Sequence, residues 1–167
     1  MNNYTIEDYK NSDCSSVLEL NTNLEHFLSP MNEESLNNIL GEAEQCKVVR
    51  VDGKVIAFLI LFIEGKHYDS VNYQWFIQRY PKFLYIDRVV IQKEFQSKGI
   101  GYILYDYVKK YAHKNDIKCL TAEIDIYPKN DKSLNFHKKQ GFKEVGTQKI
   151  LGKDKIVSLQ LCELNLQ

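Results

Sequence analysis

Apolar positions along this chain follow two periods. Between Lys47 and Ile63 they run almost unbroken, with a gap only at Asp52-Gly53. The nine residues Val55-Ile56-Ala57-Phe58-Leu59-Ile60-Leu61-Phe62-Ile63 are largely β-branched or aromatic. That suits a strand buried on both faces, and the run is too short to cross a bilayer as a helix. Asp-Gly between two such runs predicts a hairpin, because a type I′ turn needs positive φ at both central residues. Lys47 to Val51 and Lys54 to Ile63 are therefore expected to be paired strands. From Gly99 the period changes to 3.6. Ile100, Ile103, Leu104, Tyr107, Val108, Tyr111 and Ala112 share one face of a helix, and Asp106, Lys109, Lys110 and Lys114 form its solvated side. Asn115 is a suitable stop.

The remaining pattern fills in around these two segments. Asn3 to Ile6 is read as a first strand. Asp13 is placed to cap a helix carrying Val17, Leu18 and Leu20, and Asn32 to cap one carrying Leu36, Ile39, Leu40 and Ala43. Strands over Phe83 to Ile91 and Cys119 to Ile126 flank the helix from Gly99. A strand–helix–strand with so short a return implies a parallel pair with a right-handed crossover. A helix over Asn130 to Gln140 stops at Gly141, and Phe142 to Thr147 with Lys155 to Glu163 close the chain as an antiparallel pair. Glu64 to Lys82 is irregular and aromatic, with a short helix over Val71 to Arg79, and reads as an excursion from the sheet. The expected class is α/β with a mixed sheet, in one domain over residues 1–167.

Composition narrows the function classes. The 167 residues are 44% hydrophobic and 26% charged, and 22 Lys+Arg balance 22 Asp+Glu. No net field points to nucleic acid or to an anionic membrane. Cys14, Cys46, Cys119 and Cys162 are far apart, and the N-terminal residues lack an apolar signal core, so a reduced, cytoplasmic setting is expected. His26, His67, His113 and His137 have no metal-ligand spacing with the cysteines, and no metal is expected.

Chemistry concentrates at Gln96-Ser97-Lys98-Gly99-Ile100-Gly101, between the apolar run Val89-Val90-Ile91 and the helix. Two glycines permit a tight turn, and a helix start offers unpaired amides and a positive dipole end to an anion. This is a candidate phosphate cradle, with an ordinary helix-opening turn as the alternative. A dinucleotide fingerprint fails because the third-glycine position holds Leu104, and no Gly-Lys-Ser/Thr marks a nucleotide P-loop.

The stretch Tyr85 to Gly101 resembles the acetyl-CoA motif of the GNAT N-acetyltransferase superfamily, and Asn130 to Phe142 resembles that family's second motif. The resemblance implies a mixed, mostly antiparallel sheet of about seven strands with about four helices. It also implies a V-shaped gap between the strands ending near Ile91 and Ile126. Amides of Val89, Val90 and Ile91 would pair with the pantetheine arm of acetyl-CoA. Those of Ser97, Lys98, Gly99, Ile100, Gly101 and Tyr102, after Gln96, would hold the diphosphate. Asn130 would cap its helix and touch the cofactor. His137 stands where relatives carry a tyrosine that protonates the departing thiolate, and is expected to take that role. Asp125 is the first candidate for general base, ahead of Asp87, Glu123 and Glu25. The implied acceptor is a small-molecule or peptide amine, met by Leu24 to Pro30 and Glu64 to Lys82. Aromatic residues of the latter segment line a pocket, cover the sheet or form a homodimer contact. A non-catalytic CoA-binding module and an unrelated nucleotide-binding protein are the competing classes.

Overall fold

The computed structural model describes residues 4–165, residue 25 excepted. Among them, seven strands and five α-helices follow one another: β1 Tyr4–Asp8, α1 Cys14–Thr22, α2 Glu33–Glu42, β2 Gln45–Val51, β3 Lys54–Ile63, α3 Val71–Ile77, β4 Leu84–Ile91, α4 Ile100–Lys114, β5 Cys119–Tyr127, α5 Asp131–Lys139, β6 Lys143–Lys149 and β7 Ile156–Glu163. The sheet order is β1-β2-β3-β4-β5-β7-β6. β4 and β5 are parallel, with Leu84 opposite Leu120 and Tyr85 opposite Thr121. Antiparallel ladders join β1 to β2, β2 to β3, β5 to β7 and β7 to β6. This is the mixed, mostly antiparallel sheet expected. No helix of the described residues is long and apolar enough to cross a membrane.

The chain divides into two compact units, Met1–Phe62 with Ile86–Leu104, and Ile63–Tyr85 with Tyr105–Gln167. In the first, the hairpin between β2 and β3 turns through Asp52 at φ 50° and Gly53 at φ 78°, the conformation the Asp-Gly pair was read for. Ile56 to Phe62 is buried throughout. α2 opens as the pattern requires: Asn32 Oδ1 accepts from Ser35 N (2.8 Å), and Ser35 Oγ accepts from Asn32 N (2.8 Å). α1 opens differently. Asp13 occupies the cap position, but its side chain makes no cap hydrogen bond. Its carboxylate takes two bonds from Arg50 Nη2 (2.7 and 2.8 Å) and one from Lys10 N (3.0 Å). A buried carboxylate gains more from a charged donor than from a neutral amide, so the ion pair displaces the expected cap.

In the second unit, α3 is a core element and corrects the reading of this segment as an excursion. Tyr73 and Phe76 are fully buried. The Tyr73 ring meets Phe83 and Tyr85 edge-on, at 5.8 and 5.5 Å between centroids. Its hydroxyl donates to Ile63 O (2.7 Å) and accepts from Lys66 N (2.9 Å). Trp75 lies flat enough on β6 that a Cβ added at Gly146 would come within 2.8 Å of its Cζ2 atom. Arg79 covers the indole at 4.0 Å and donates to Trp75 O (3.0 Å), which fixes the ring in place. Gln148 Nε2 donates to Asn72 Oδ1 (2.9 Å), a second tie between β6 and α3.

Gly146→Ala is expected to destabilise the protein by about 1–3 kcal/mol, since a rigid ring and a β-strand both resist displacement. Urea unfolding measures it. In the background of Trp75→Leu the same substitution should cost much less, and an equal cost in both backgrounds contradicts the packing argument.

Candidate functional site

The turn that opens α4 has the shape an anion cradle needs. A single helical turn at Lys93–Phe95 follows β4, and the chain then reverses through Ser97 at φ 59° and Gly99 at φ 89°. Positive φ strains a side-chain-bearing residue, so Gly99 suits its position by conformation, and the space where its Cβ would lie is open. Gln96 Nε2 donates to Ile91 O (3.0 Å) and ties the far side of the loop to the end of β4. The first ladder bond at this end runs from Ile103 N to Gly99 O (3.2 Å). Lys98, Gly99, Ile100 and Gly101 therefore carry amides that a helix start leaves without an i−4 carbonyl. Ser97, Lys98 and Gly99 are exposed. These features, an open concave backbone with a positive dipole end, fit a diphosphate.

Of the other expected cofactor residues, Val89 and Ile91 are half-buried on β4 and Val90 is buried. Tyr102, in the first turn of α4, is exposed. Asn130 is half-buried, and its Oδ1 accepts from Ser133 N (3.2 Å), so it does cap α5. The capping bond uses the amide oxygen alone and leaves the Nδ2 donors for a ligand.

His137 is buried, and its two ring nitrogens are both engaged. Nδ1 lies 2.8 Å from Ser133 O. A carbonyl only accepts, so the proton is on Nδ1, and Nε2 accepts from the Tyr105 hydroxyl. Phe136 and Phe142 pack edge-on against the same tyrosine. Burial pushes the His137 pKa down to about 4, against a smaller upward pull from the Ser133 carbonyl, and pushes Tyr105 well above the usual phenol range. At neutral pH the imidazole is uncharged, and it can give up its proton only by breaking the bond to its own helix. Tyr105 is the partner that pattern reading missed, since it lies outside the apolar face read for α4 and yet is buried.

The carboxylates proposed as bases are paired. Asp125 is 6% exposed and lies 3.0 Å from Lys155 Nζ. Glu123, two residues earlier on β5, accepts from the Tyr85 hydroxyl (2.7 Å). Asp87 accepts from Arg88 Nε (3.1 Å). Glu25 lies outside the described residues. Arg88 itself went unnoticed in the sequence. It is 7% exposed, and its Nη1 donates to Asn21 Oδ1 (2.6 Å) and to Ser29 O (3.0 Å). Asn21 Nδ2 donates to the same carbonyl (3.2 Å), so α1 and β4 together hold the turn before α2. No group of His, Cys, Asp and Glu suited to a metal ion occurs among the described residues.

The state of His137 has a pH consequence. Its folded pKa of about 4 lies below the ordinary value of 6.5, so the unfolded chain binds the proton first as pH falls. Stability is full above about pH 6.5 and declines toward pH 4, by on the order of 3 kcal/mol from this group. In chemical denaturation across that range, His137→Phe should show a shallower loss than the parent chain. Parallel curves would show that the imidazole is not buried neutral.

The chain matches the model of the acetyltransferase (GNAT) family over residues 6–142. It is 28% identical over 103 residues to the glucosamine 6-phosphate N-acetyltransferase of Candida albicans, a match to 62% of this chain and 60% of that protein's length. Among solved structures, Ard1 from Thermoplasma volcanium superposes with a TM-score of 0.79 at 15% identity, over 97% of this chain and 98% of that one. The Escherichia coli ribosomal-protein-S18-alanine N-acetyltransferase does so at 0.72 and 14%, over 96% and 94%. Arabidopsis thaliana Naa50, solved in complex with the bisubstrate analogue CoA-Ac-MVNAL, gives 0.72 and 16%, over 95% and 97%. The structural likenesses establish the fold, and with a family match over most of its length the chain belongs to the GNAT acetyltransferase family.

Proposed function

We propose that this protein transfers an acetyl group from acetyl-CoA to a primary amine, by direct attack within a ternary complex. The observation that carries the reading is the backbone from Ser97 to Gly101, exposed at Ser97, Lys98 and Gly99, which opens a helix in a chain of an acetyl-CoA-using family. Acetyl-CoA, when bound, supplies the acyl group already activated as a thioester. Amides of Ser97 to Tyr102 hold its diphosphate, amides of Val89 to Ile91 pair with the pantetheine arm, and Asn130 contributes Nδ2. A strand amide in Val89 to Ile91 serves the developing oxyanion.

The attacking amine must lose a proton. Asp125 is the proposed acceptor, directly or through water, and Lys155 beside it orients the carboxylate. His137, tied to Ser133 and Tyr105, sets the packing between α4 and α5, and solvent supplies the proton for the leaving thiolate. The relative named for glucosamine 6-phosphate and the peptide-derived analogue bound to Naa50 support an amine acceptor in the broad sense. One observation favours the second reading, a CoA-binding module without turnover: the residue at the family's proton-donor position has no free nitrogen.

Thiol release from acetyl-CoA with a panel of amines separates the two readings. Release with at least one amine is expected, and binding of CoA without release from any amine selects the module. Gly99→Val should weaken CoA binding at least tenfold through loss of the positive-φ conformation, whereas Ser97→Ala should change it little because the contact is to backbone. Asp125→Asn should lower kcat by 10²-fold or more if it accepts the proton. An unchanged pH–rate profile in that variant would remove it from the mechanism.

A further inference from the structure

Arg88 has donors that its structural role does not use. A guanidinium carries five N–H groups in a fixed planar fork. Nε–H goes to Asp87 (3.1 Å), and the two Nη1 hydrogens serve Asn21 Oδ1 (2.6 Å) and Ser29 O (3.0 Å). Nη2, with two N–H groups, has no hydrogen-bond partner among the described residues, and it is not among their buried unpaired atoms, so it is the edge of the guanidinium that meets solvent although the residue is only 7% exposed. A water-facing pair of donors on a guanidinium otherwise held in place is open to an oxygen of a ligand. Asp87, Asn21 and Ser29 account for three of the five Arg88 donors, and the other two are on Nη2.

We propose that Arg88 Nη2 receives an anionic group of the acceptor, so that the substrate is an amine that also bears a carboxylate or a phosphate. This rests on the acetyl-transfer reading and names its substrate class. Arg88 is followed directly by Val89 to Ile91, the amides assigned to the pantetheine arm, and it holds Ser29 in the segment assigned to the acceptor. Asp87 already balances its charge, so what Nη2 offers is direction more than net field. An ionised oxygen acceptor makes hydrogen bonds about twice as strong as a neutral one, and both carboxylate and phosphate have lone pairs for two N–H groups. A lysine in this position would lack the fork that braces the turn and meets the ligand together.

Matched acceptors test the idea: glucosamine 6-phosphate against glucosamine, and tyrosine against tyramine, each with acetyl-CoA. The anionic member of at least one pair should have a kcat/KM at least tenfold higher, mostly through KM, and which pair responds distinguishes phosphate from carboxylate. Arg88→Lys should lose more on the anionic member than on the neutral one. Equal kcat/KM within both pairs, or an equal loss on both members in the variant, overturns the proposal. Thermal melts of the wild-type chain provide a readout independent of turnover. With CoA saturating, so that the α4 turn is filled, inorganic phosphate or acetate should raise the melting temperature, and no shift with either also overturns it. CoA release from none of many amines, with the melting shift intact, instead counts against acetyl transfer and leaves the anion site standing.

Discussion

A helix start can grip a ligand only if the chain reaches it without covering its own amides, and in this protein that requirement falls on Ser97 and Gly99. Both adopt positive φ. For Ser97, which has a side chain, the left-handed conformation costs roughly 1–2 kcal/mol, and such strain persists where surrounding structure over-determines it. The bond from Gln96 Nε2 to Ile91 O is the local restraint that does so. The result is an exposed backbone at Ser97, Lys98 and Gly99, and under the proposed function donors placed in advance limit the entropy lost on binding.

Several polar groups in the interior of both units have defined partners. Asp125 has Lys155, Glu123 has Tyr85, His137 has Ser133 and Tyr105, and Asp87 has Arg88. Buried pairs of this kind add little net stability compared with apolar replacements, but breaking one partner is severe. Their effect is to fix orientation. A carboxylate held against an ammonium is fixed in direction, and the imidazole held between a carbonyl and a phenol stays neutral because burial lowers its pKa.

The periods of the apolar pattern made the secondary structure legible. The unbroken run from Val55 to Ile63 became the buried strand β3, and the 3.6 period from Ile100 became α4. The tight turn before α4 was legible too, because its determinants are local: a strand before, a helix after, and a glycine at the positive-φ position Gly99. Other features depend on partners far along the chain. His137 pairs with Tyr105, 32 residues away, and Arg88 with Asn21, 67 residues away. Nothing in a local pattern announces such contacts. Asp13 illustrates the converse, a residue whose local preference for capping lost to Arg50, 37 residues on. α3 misled for a different reason. Its seven residues are too few for a periodic signal to separate a buried helix from a surface one.

The contact of Trp75 with Gly146 binds two parts of the molecule into one heritable choice. A chain that gains a side chain on β6 at this point must first shrink the ring above it, and a chain that keeps the indole is confined to glycine below. Substitutions at the two positions should therefore travel as a pair through descent, with intermediates carrying only one change selected against.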